Sequence, residues 1–318
     1  MDVFWLQSEL TQLIGDEIRA RGPISFARFM KEALYHPEHG YYSSGRATIG
    51  RGGDYFTNVS VGPLFGTLLA AQFIQIWERL GQVDDFTIVE QGAHDGQFAH
   101  DALDAIRARA PKMFETVRYQ IVEPFPILQG RQSETLRDFD EKVSWRKSLA
   151  DTDRFIGIHF SNELLDSMPV NLRKKSVGLD GEKFIFVENT GSDDSPPNQS
   201  QLDWIDDLAV KLERGFVIAI DYGFSRSDFR EVAQARAQHR HLDSPFEQIG
   251  AADISVYINW TDIAERAEAN RLRVAGFTDQ HHFFTSIIST WPHLVPQSLS
   301  NSTDTVGRVY GSSDQGKM

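Results

Sequence analysis

The chain has 318 residues, of which 41% are hydrophobic and 24% are charged, and it contains no cysteine. This composition is typical of a globular protein, and it excludes disulfides, thiolate nucleophiles and zinc–sulfur sites. The formal net charge of −13 argues against nucleic acid as a partner, because binding phosphates requires a basic surface.

Targeting signals and membrane segments are not evident in the sequence. No apolar run reaches the roughly 18 residues of a membrane span. Residues 1–22 carry several acidic side chains, which are atypical of a secretory signal or a transit peptide. We therefore expect a cytoplasmic protein without a membrane span.

The first 82 residues are predicted to form a helical extension followed by a loop. Apolar residues repeat there at helical spacing in three stretches, and Pro63 is well placed at the start of the third helix. The segment Tyr41–Thr57 combines glycines with aromatic side chains, and we expect it to cover a ligand as a lid. His36 and His39 have no third ligand nearby in sequence, so no metal site is predicted.

A glycine turn that bears an acid follows the β-branched run Thr87–Val89. Glu90 ends the predicted strand, Gly92 and Gly96 frame the turn, and a helical pattern starts at Phe98. This order opens nucleotide-binding α/β units, whose dinucleotide fingerprint is G-x-G-x-x-G. Here the spacing is G-x-x-x-G, and an acid suits the cationic S-adenosylmethionine better than a diphosphate. An ordinary turn without a ligand is the alternative.

From Phe86 onward, strands and helices alternate, which predicts a parallel sheet. In such sheets ligands bind beyond the carboxyl ends of the strands. Four predicted strands end at or just before an acid, namely Glu90, Glu123, Glu163 and Asp221. Glu123 is suited to accept hydrogen bonds from both hydroxyls of a ribose. No element is predicted for about 30 residues after Gly223, and Arg273–Phe277 is expected to be a closing strand.

Taken together, these motifs resemble the MidA-like family of S-adenosylmethionine-dependent methyltransferases. Its mitochondrial members look like protein arginine methyltransferases that act in the assembly of respiratory complex I. The resemblance extends from about Gly22 to Phe284. The motifs that carry it are Gly22-Pro23-Ile24-Ser25, His36–Tyr42, Gly53–Thr57, Pro63–Gly66, Glu90–Gly96, Val122-Glu123, Asn162–Val170 and Ile220–Gly223.

The resemblance implies an α/β fold with the Rossmann-like sheet of class I methyltransferases. An N-terminal helical extension and an inserted β-hairpin and helix would accompany that sheet. The expected divisions are residues 1–82 for the helical and lid segment, 83–284 for the core with its insertion at about 171–214, and 285–318 for a C-terminal helix and flexible tail.

Site residues can be carried over from the family motifs. The residues implied for the cofactor are Thr57, Glu90, Gly92, Gly96, Glu123, Ser148, Leu149 and Asn162. Asn162 and Glu163 would face the transferring methyl group. Glu163 and Asp166, three positions apart, could form a carboxylate pair that clamps a guanidinium. Alternatively, Asp166 caps a helix that follows the fourth strand.

Four positions depart from the family pattern. His94 stands where glycine is common, and Ser60, Tyr257 and Asn259 replace an acid, a histidine and an acid on the side expected for the substrate.

The predicted function is methyl transfer from S-adenosylmethionine to an arginine-like nitrogen of a protein, with a small-molecule acceptor as an alternative. A catalytically silent assembly or interaction protein of the same fold is the rival. The glycine spacing disfavours a nicotinamide-dependent oxidoreductase. The oligomeric state is left open, a homodimer included.

Overall fold

The computed structural model describes residues 8–46, 62–188 and 196–291. Its α-helices are α1 Glu9–Arg21, α2 Phe26–Tyr35, α3 Leu64–Arg79, α4 Gln97–Arg109, α5 Pro111–Thr116, α6 Pro126–Thr135, α7 Gln199–Lys211, α8 Trp260–Ala269 and α9 Gln280–Thr290. Its strands are β1 Ile24–Ser25, β2 Phe86–Gln91, β3 Arg118–Val122, β4 Val143–Arg146, β5 Phe155–Asn162, β6 Lys175–Asp180, β7 Lys183–Glu188, β8 Leu212–Ile220, β9 Gly223–Phe224, β10 Ala233–Ala237, β11 Arg240–Leu242, β12 Asp253–Val256 and β13 Ile258–Asn259.

The chain is divided between two compact units, each assembled from separate segments. The first unit comprises residues 1–56, 163–209 and 221–272, and the second comprises residues 57–162, 210–220 and 273–318. This division differs from the expected three parts. The N-terminal helices share one hydrophobic core with the segments that follow β5 and β8, so they belong to the same unit.

The second unit is built on a five-stranded sheet in the order β4-β3-β2-β5-β8. Every neighbouring pair is parallel, which confirms the predicted parallel sheet. The central strand β2 is buried along almost its whole length, as expected where helices cover both faces. The rings of Phe98 on α4 and Phe160 on β5 stack with centroids 4.3 Å apart. The carboxyl ends of all five strands therefore meet at one well-supported edge.

The first unit combines α1, α2, most of α7 and α8 with three small sheets. The β6–β7 hairpin confirms the turn predicted around Gly181, which has a φ of +61°. The order β11-β10-β12 forms a second sheet, and β9 pairs with β13. Tyr41 and Tyr42, the first residues of the expected lid, pack into the core of this unit. Residues 47–57 of that lid lie outside the described residues.

Three expectations about secondary structure are wrong. Residues Arg273–Phe277 form no strand, and the side chain of Phe277 is 68% exposed. No helix follows β5 directly, because residues 163–174 form turns. The C-terminal helix starts at Gln280 rather than after 284. In the described ranges, no helix has the length and apolarity that crossing a membrane requires.

Candidate functional site

The acid at the end of β2 is buried beside the glycine turn. The side chain of Glu90 is 3% exposed, and its Oε2 accepts a hydrogen bond of 2.7 Å from the hydroxyl of Tyr119 on β3. Burial raises the pKa of Glu90 to about 8, although the bond from Tyr119 opposes this rise. A cationic ligand group at this carboxylate would offset the cost of ionising it.

The turn that follows Glu90 uses the left-handed backbone conformation three times. Gly92, His94 and Gly96 have φ values of +81°, +48° and +83°. Glycine adopts this region freely, and histidine is among the side chains enriched there. His94 therefore occupies a position whose backbone conformation also suits glycine. A Cβ atom at Gly96 would also lie 3.3 Å from the Cα atom of Gln132, a tight contact with α6, and the positive φ disfavours any other side chain there.

A fully buried glutamine on α6 connects three parts of this edge. Gln132 donates from Nε2 to the carbonyl of His94 at 3.0 Å and to Oε2 of Glu123 at 3.1 Å. Its Oε1 accepts from the indole nitrogen of Trp145 on β4 at 2.9 Å. Gln132 thus fixes the turn after β2, the acid after β3 and the strand β4 relative to one another.

Glu123 follows β3 and is 4% exposed. Besides the bond from Gln132, its Oε1 accepts from the backbone N–H of Phe125 at 3.0 Å. Burial raises the pKa of Glu123 to about 7, against the effect of these two donors. The carboxylate is held in a fixed orientation at the sheet edge, where it can accept further hydrogen bonds from a diol.

The remaining positions carried over for the cofactor are distributed around the same unit. Ser148 follows β4 and its hydroxyl donates to Oδ2 of Asp151 at 2.8 Å, while Leu149 is buried. Asn162 ends β5, and its Oδ1 is buried with no hydrogen-bond partner among the described residues. Such an orphaned acceptor is suited to receive a ligand donor. Thr57 lies outside the described residues.

The chemistry of this edge distinguishes between the two cofactors considered. Glu90 and Glu123 are both buried acids whose raised pKa values reflect poorly compensated negative charge. A pyrophosphate would add negative charge beside them. S-adenosylmethionine instead carries an ammonium and a sulfonium, together with a ribose diol. The residues present therefore fit S-adenosylmethionine and oppose a dinucleotide.

In the first unit, four carboxylates lie close together, and we call Glu163, Asp166, Asp221 and Asp253 the acid cluster. Asp221 holds the turn after β5, because its Oδ2 accepts the backbone N–H groups of Leu165 at 2.8 Å and Asp166 at 3.2 Å. The helix-cap alternative for Asp166 is wrong, since those N–H groups bond to a carboxylate and no helix begins there.

The acid cluster carries more negative charge than its surroundings compensate. Burial and the charges of Asp221 and Asp253 raise the pKa of Glu163 to about 8, which Arg236 partly opposes. Burial and three neighbouring acids raise the pKa of Asp166 well above its ordinary value. Burial raises the pKa of Asp221 to about 7. Protonation or an added cation would relieve this repulsion.

Several contributors to these sites were missed in the sequence. Asp253 and Arg236 are opposite each other on β12 and β10, and the hydroxyl of Tyr42 donates to Oδ1 of Asp253 at 2.7 Å. Tyr119 and Gln132 support Glu90 and Glu123. Apart from Tyr42, none of these residues belongs to a local motif, and only the pairing of distant segments brings them to their partners.

Comparisons with known proteins agree with this geometry. Residues 68–197 and 196–278, together more than half of the chain, match a family model described as "Putative S-adenosyl-L-methionine-dependent methyltransferase". A protein from Burkholderia thailandensis crystallised with S-adenosylhomocysteine is 26% identical and has a TM-score of 0.82. That match covers 95% of this chain and 86% of the other.

Two curated relatives carry the name protein arginine methyltransferase NDUFAF7, mitochondrial, or its homolog form. The protein of Danio rerio is 27% identical over 79% of this chain, which spans 62% of the relative. That of Drosophila melanogaster is 23% identical over 81% of this chain and 70% of its own length.

The mitochondrial names of these relatives contradict the cytoplasmic location expected above, so that prediction is wrong. The absence of cysteine excludes disulfides but does not distinguish one reducing compartment from another. The parallel sheet and the match over residues 68–278, by contrast, agree with the predicted fold and cofactor. The chain belongs to this family of S-adenosylmethionine-dependent methyltransferases.

Proposed function

We propose that this protein transfers a methyl group from S-adenosylmethionine to a guanidinium nitrogen of a protein acceptor. The observation that carries the proposal is the acid cluster, in which Glu163, Asp166 and Asp221 all have raised pKa values. Within the described residues, the guanidinium of Arg236 opposes the pKa rise of Glu163. A second guanidinium from the acceptor would supply the missing countercharge. The names of the curated relatives support this choice of acceptor.

The chemistry divides between binding and proton removal. Bound S-adenosylmethionine supplies a sulfonium methyl carbon that the acceptor nitrogen attacks, leaving the S–C electrons on sulfur. Carboxylates match the planar donor geometry of a guanidinium, so Glu163 and Asp166 can orient the attacking nitrogen. After its new N–C bond has formed, that nitrogen must lose a proton. A carboxylate of pKa about 8 is suited to accept it near neutral pH.

The cofactor residues have a separate role. Glu90 would accept from the amine of the methionine part, and Glu123 would accept from the ribose. The orphaned Oδ1 of Asn162 is available to a further ligand donor. Much of the rate enhancement then comes from positioning the two reactants, which is the main contribution available when neither reactant forms a covalent enzyme intermediate.

Methyl transfer from tritiated S-adenosylmethionine to arginine peptides, to proteins and to small guanidines tests the proposal. We expect Glu163→Gln to lower turnover roughly a hundred-fold or more, with affinity for S-adenosylhomocysteine changed only a few-fold. The exposed Glu188 of the same unit provides a matched control, and Glu188→Gln should keep full activity. Undiminished transfer by Glu163→Gln would remove Glu163 from the mechanism. Cofactor binding without transfer to any acceptor would favour the silent-scaffold alternative.

A further inference from the structure

A small pocket in the first unit contains none of the acid-cluster residues, but its lining includes Tyr257 and Asn259, two of the four positions that depart from the family pattern. Its volume is about 40 Å³. Val170, Phe229 and Val256 provide apolar walls, while Asn198, Asn259 and Asp262 provide polar groups. Since one water requires roughly 10–15 Å³ of such space, the pocket has room for a group of about three heavy atoms. A ring does not fit, but the end of a side chain does.

Asn259 gives this pocket an unused acceptor. The residue precedes α8, where an asparagine side chain ordinarily accepts from the first N–H groups of the helix. Here its side chain makes no such bond, and its Oδ1 is buried with no hydrogen-bond partner in the described part of the chain. The residue is only 8% exposed. Leaving a buried acceptor in this state lowers stability, and a ligand donor would remove that cost.

The charged groups at the pocket favour a cationic donor. Asp262 and Glu231 contribute two carboxylates, and Arg173 contributes one exposed guanidinium. Oδ1 of Asp262 accepts from Arg226 at 2.8 Å, and Oε2 of Glu231 accepts from the backbone N–H of Arg173 at 2.9 Å. Oε1 of Glu231 is available to a ligand, and Oδ2 of Asp262, which accepts a long bond of 3.5 Å from Nδ2 of Asn198, can accept a second one. Three acceptors around a small space suit the three donors of a primary ammonium, and the apolar walls suit its methylene chain.

The pocket is close to the acid cluster. The N–H of Val256, a wall residue, donates to the backbone carbonyl of Asp166 at 2.9 Å. Asp253 of the acid cluster lies three positions before Val256 on β12. Three residues of strand span about 10 Å. A peptide in the polyproline II conformation has three residues per turn and rises about 3.1 Å per residue, so it places two side chains three residues apart on one side at about this distance. Such a peptide can present one side chain to the acid cluster and the other to the pocket.

We propose that this pocket binds the ammonium of a lysine located about three residues from the methylated arginine of the acceptor. This inference rests on the proposed function for its arginine, but the pocket can be tested by binding alone. The substrate class would then be a protein segment with two basic side chains, rather than any accessible arginine.

Calorimetry with S-adenosylhomocysteine present would compare a capped Gly-Arg-Gly-Gly-Lys-Gly peptide with its norleucine counterpart. We expect the lysine peptide to bind at least tenfold more tightly. Asn259→Leu should abolish this preference, and Asn259→Asp should preserve or increase it. Asn270→Leu, at the other end of α8, should retain the preference. Equal binding of the two peptides, or no binding of either, would overturn the proposal.

The melting temperature and the transfer assay distinguish lysine binding in the pocket from a purely structural role of Asn259. If Asn259 serves α8 alone, Asn259→Leu lowers the melting temperature while the lysine preference stays unchanged, and the proposal fails. In the transfer assay, the ratio of kcat/KM for the two peptides should follow their binding ratio. Transfer without a lysine preference would overturn the pocket and leave the methyltransferase intact. A lysine preference that depends on Asn259, without transfer to either peptide, would support the pocket and contradict the proposed reaction.

Discussion

Replacing Gln132 by leucine should damage both the stability of the protein and its cofactor site. The side chain is fully buried and makes three hydrogen bonds, to His94, Glu123 and Trp145. Leucine has a similar size, so the main effect is to leave a carbonyl, a carboxylate and an indole N–H without this partner. At about 1–3 kcal/mol for each buried group, the free energy of unfolding should fall by about 3 kcal/mol or more.

Urea unfolding and calorimetry with S-adenosylhomocysteine measure these two effects. Because Gln132 orients both the glycine turn and Glu123, cofactor affinity should fall roughly tenfold, or ~1.4 kcal/mol. Gln129 lies on the same helix, is only partly buried and makes one bond, to the backbone carbonyl of Glu123 at 2.7 Å. Gln129→Leu should therefore cost only about 1 kcal/mol and leave affinity unchanged. Equal effects of the two substitutions would refute the assigned role of Gln132.

Three further predictions concern the glycine turn. The pKa of Glu90 is raised from 4.5 to about 8, so its contribution to stability is present below pH about 4.5 and is lost as pH rises through 8. In urea unfolding without ligand, the free energy of unfolding of the wild type should fall by a few kcal/mol as pH rises over that range, and that of Glu90→Gln should not. The same pH dependence in both proteins would contradict this. Tyr119→Phe should raise the pKa of Glu90 further and weaken S-adenosylhomocysteine binding several-fold at pH 7, as calorimetry would show, whereas equal affinity would exclude this role. His94→Gly should change unfolding free energy by less than about 1 kcal/mol and affinity by only a few-fold, because relief of the left-handed backbone offsets the added chain entropy. A hundred-fold gain in affinity would instead mean that His94 obstructs the turn.

The second unit was largely predictable because its signals are local. β-Branched runs marked the strands, and the glycine spacing marked the turn at Gly92 and Gly96. Glu90 and Glu123 were placed at one edge because parallel strands share their carboxyl ends. Gln132 and Tyr119 were not predicted, because each acts across distant segments and neither has a distinctive neighbour in sequence. A buried glutamine in a largely polar helix can be recognised only after the helix has been packed.

The first unit was predicted less well because non-local pairing determines it. The segment after Gly223 forms β10, β11 and β12, whose partners are set by antiparallel register rather than by an apolar pattern. At Glu163 the backbone has a φ of +51°, which starts a turn where the alternative role of Asp166 had required a helix. The apolar residues Val274 and Phe277 suggested a strand, yet both are exposed, and no strand in the described residues pairs with them.

The chain carries many acids, and burial explains why only some of them are proposed to bind cationic ligands. A surface carboxylate in water gains little from one more cation, because solvent already screens it. A buried carboxylate has lost that solvation, and its raised pKa measures the cost. Glu90 in one unit and Glu163 in the other both show this, each with a pKa of about 8. We therefore expect a cation to gain more energy at these two positions than at exposed carboxylates. For the same reason a neutral analogue of either ligand should bind poorly, although it fits the same space.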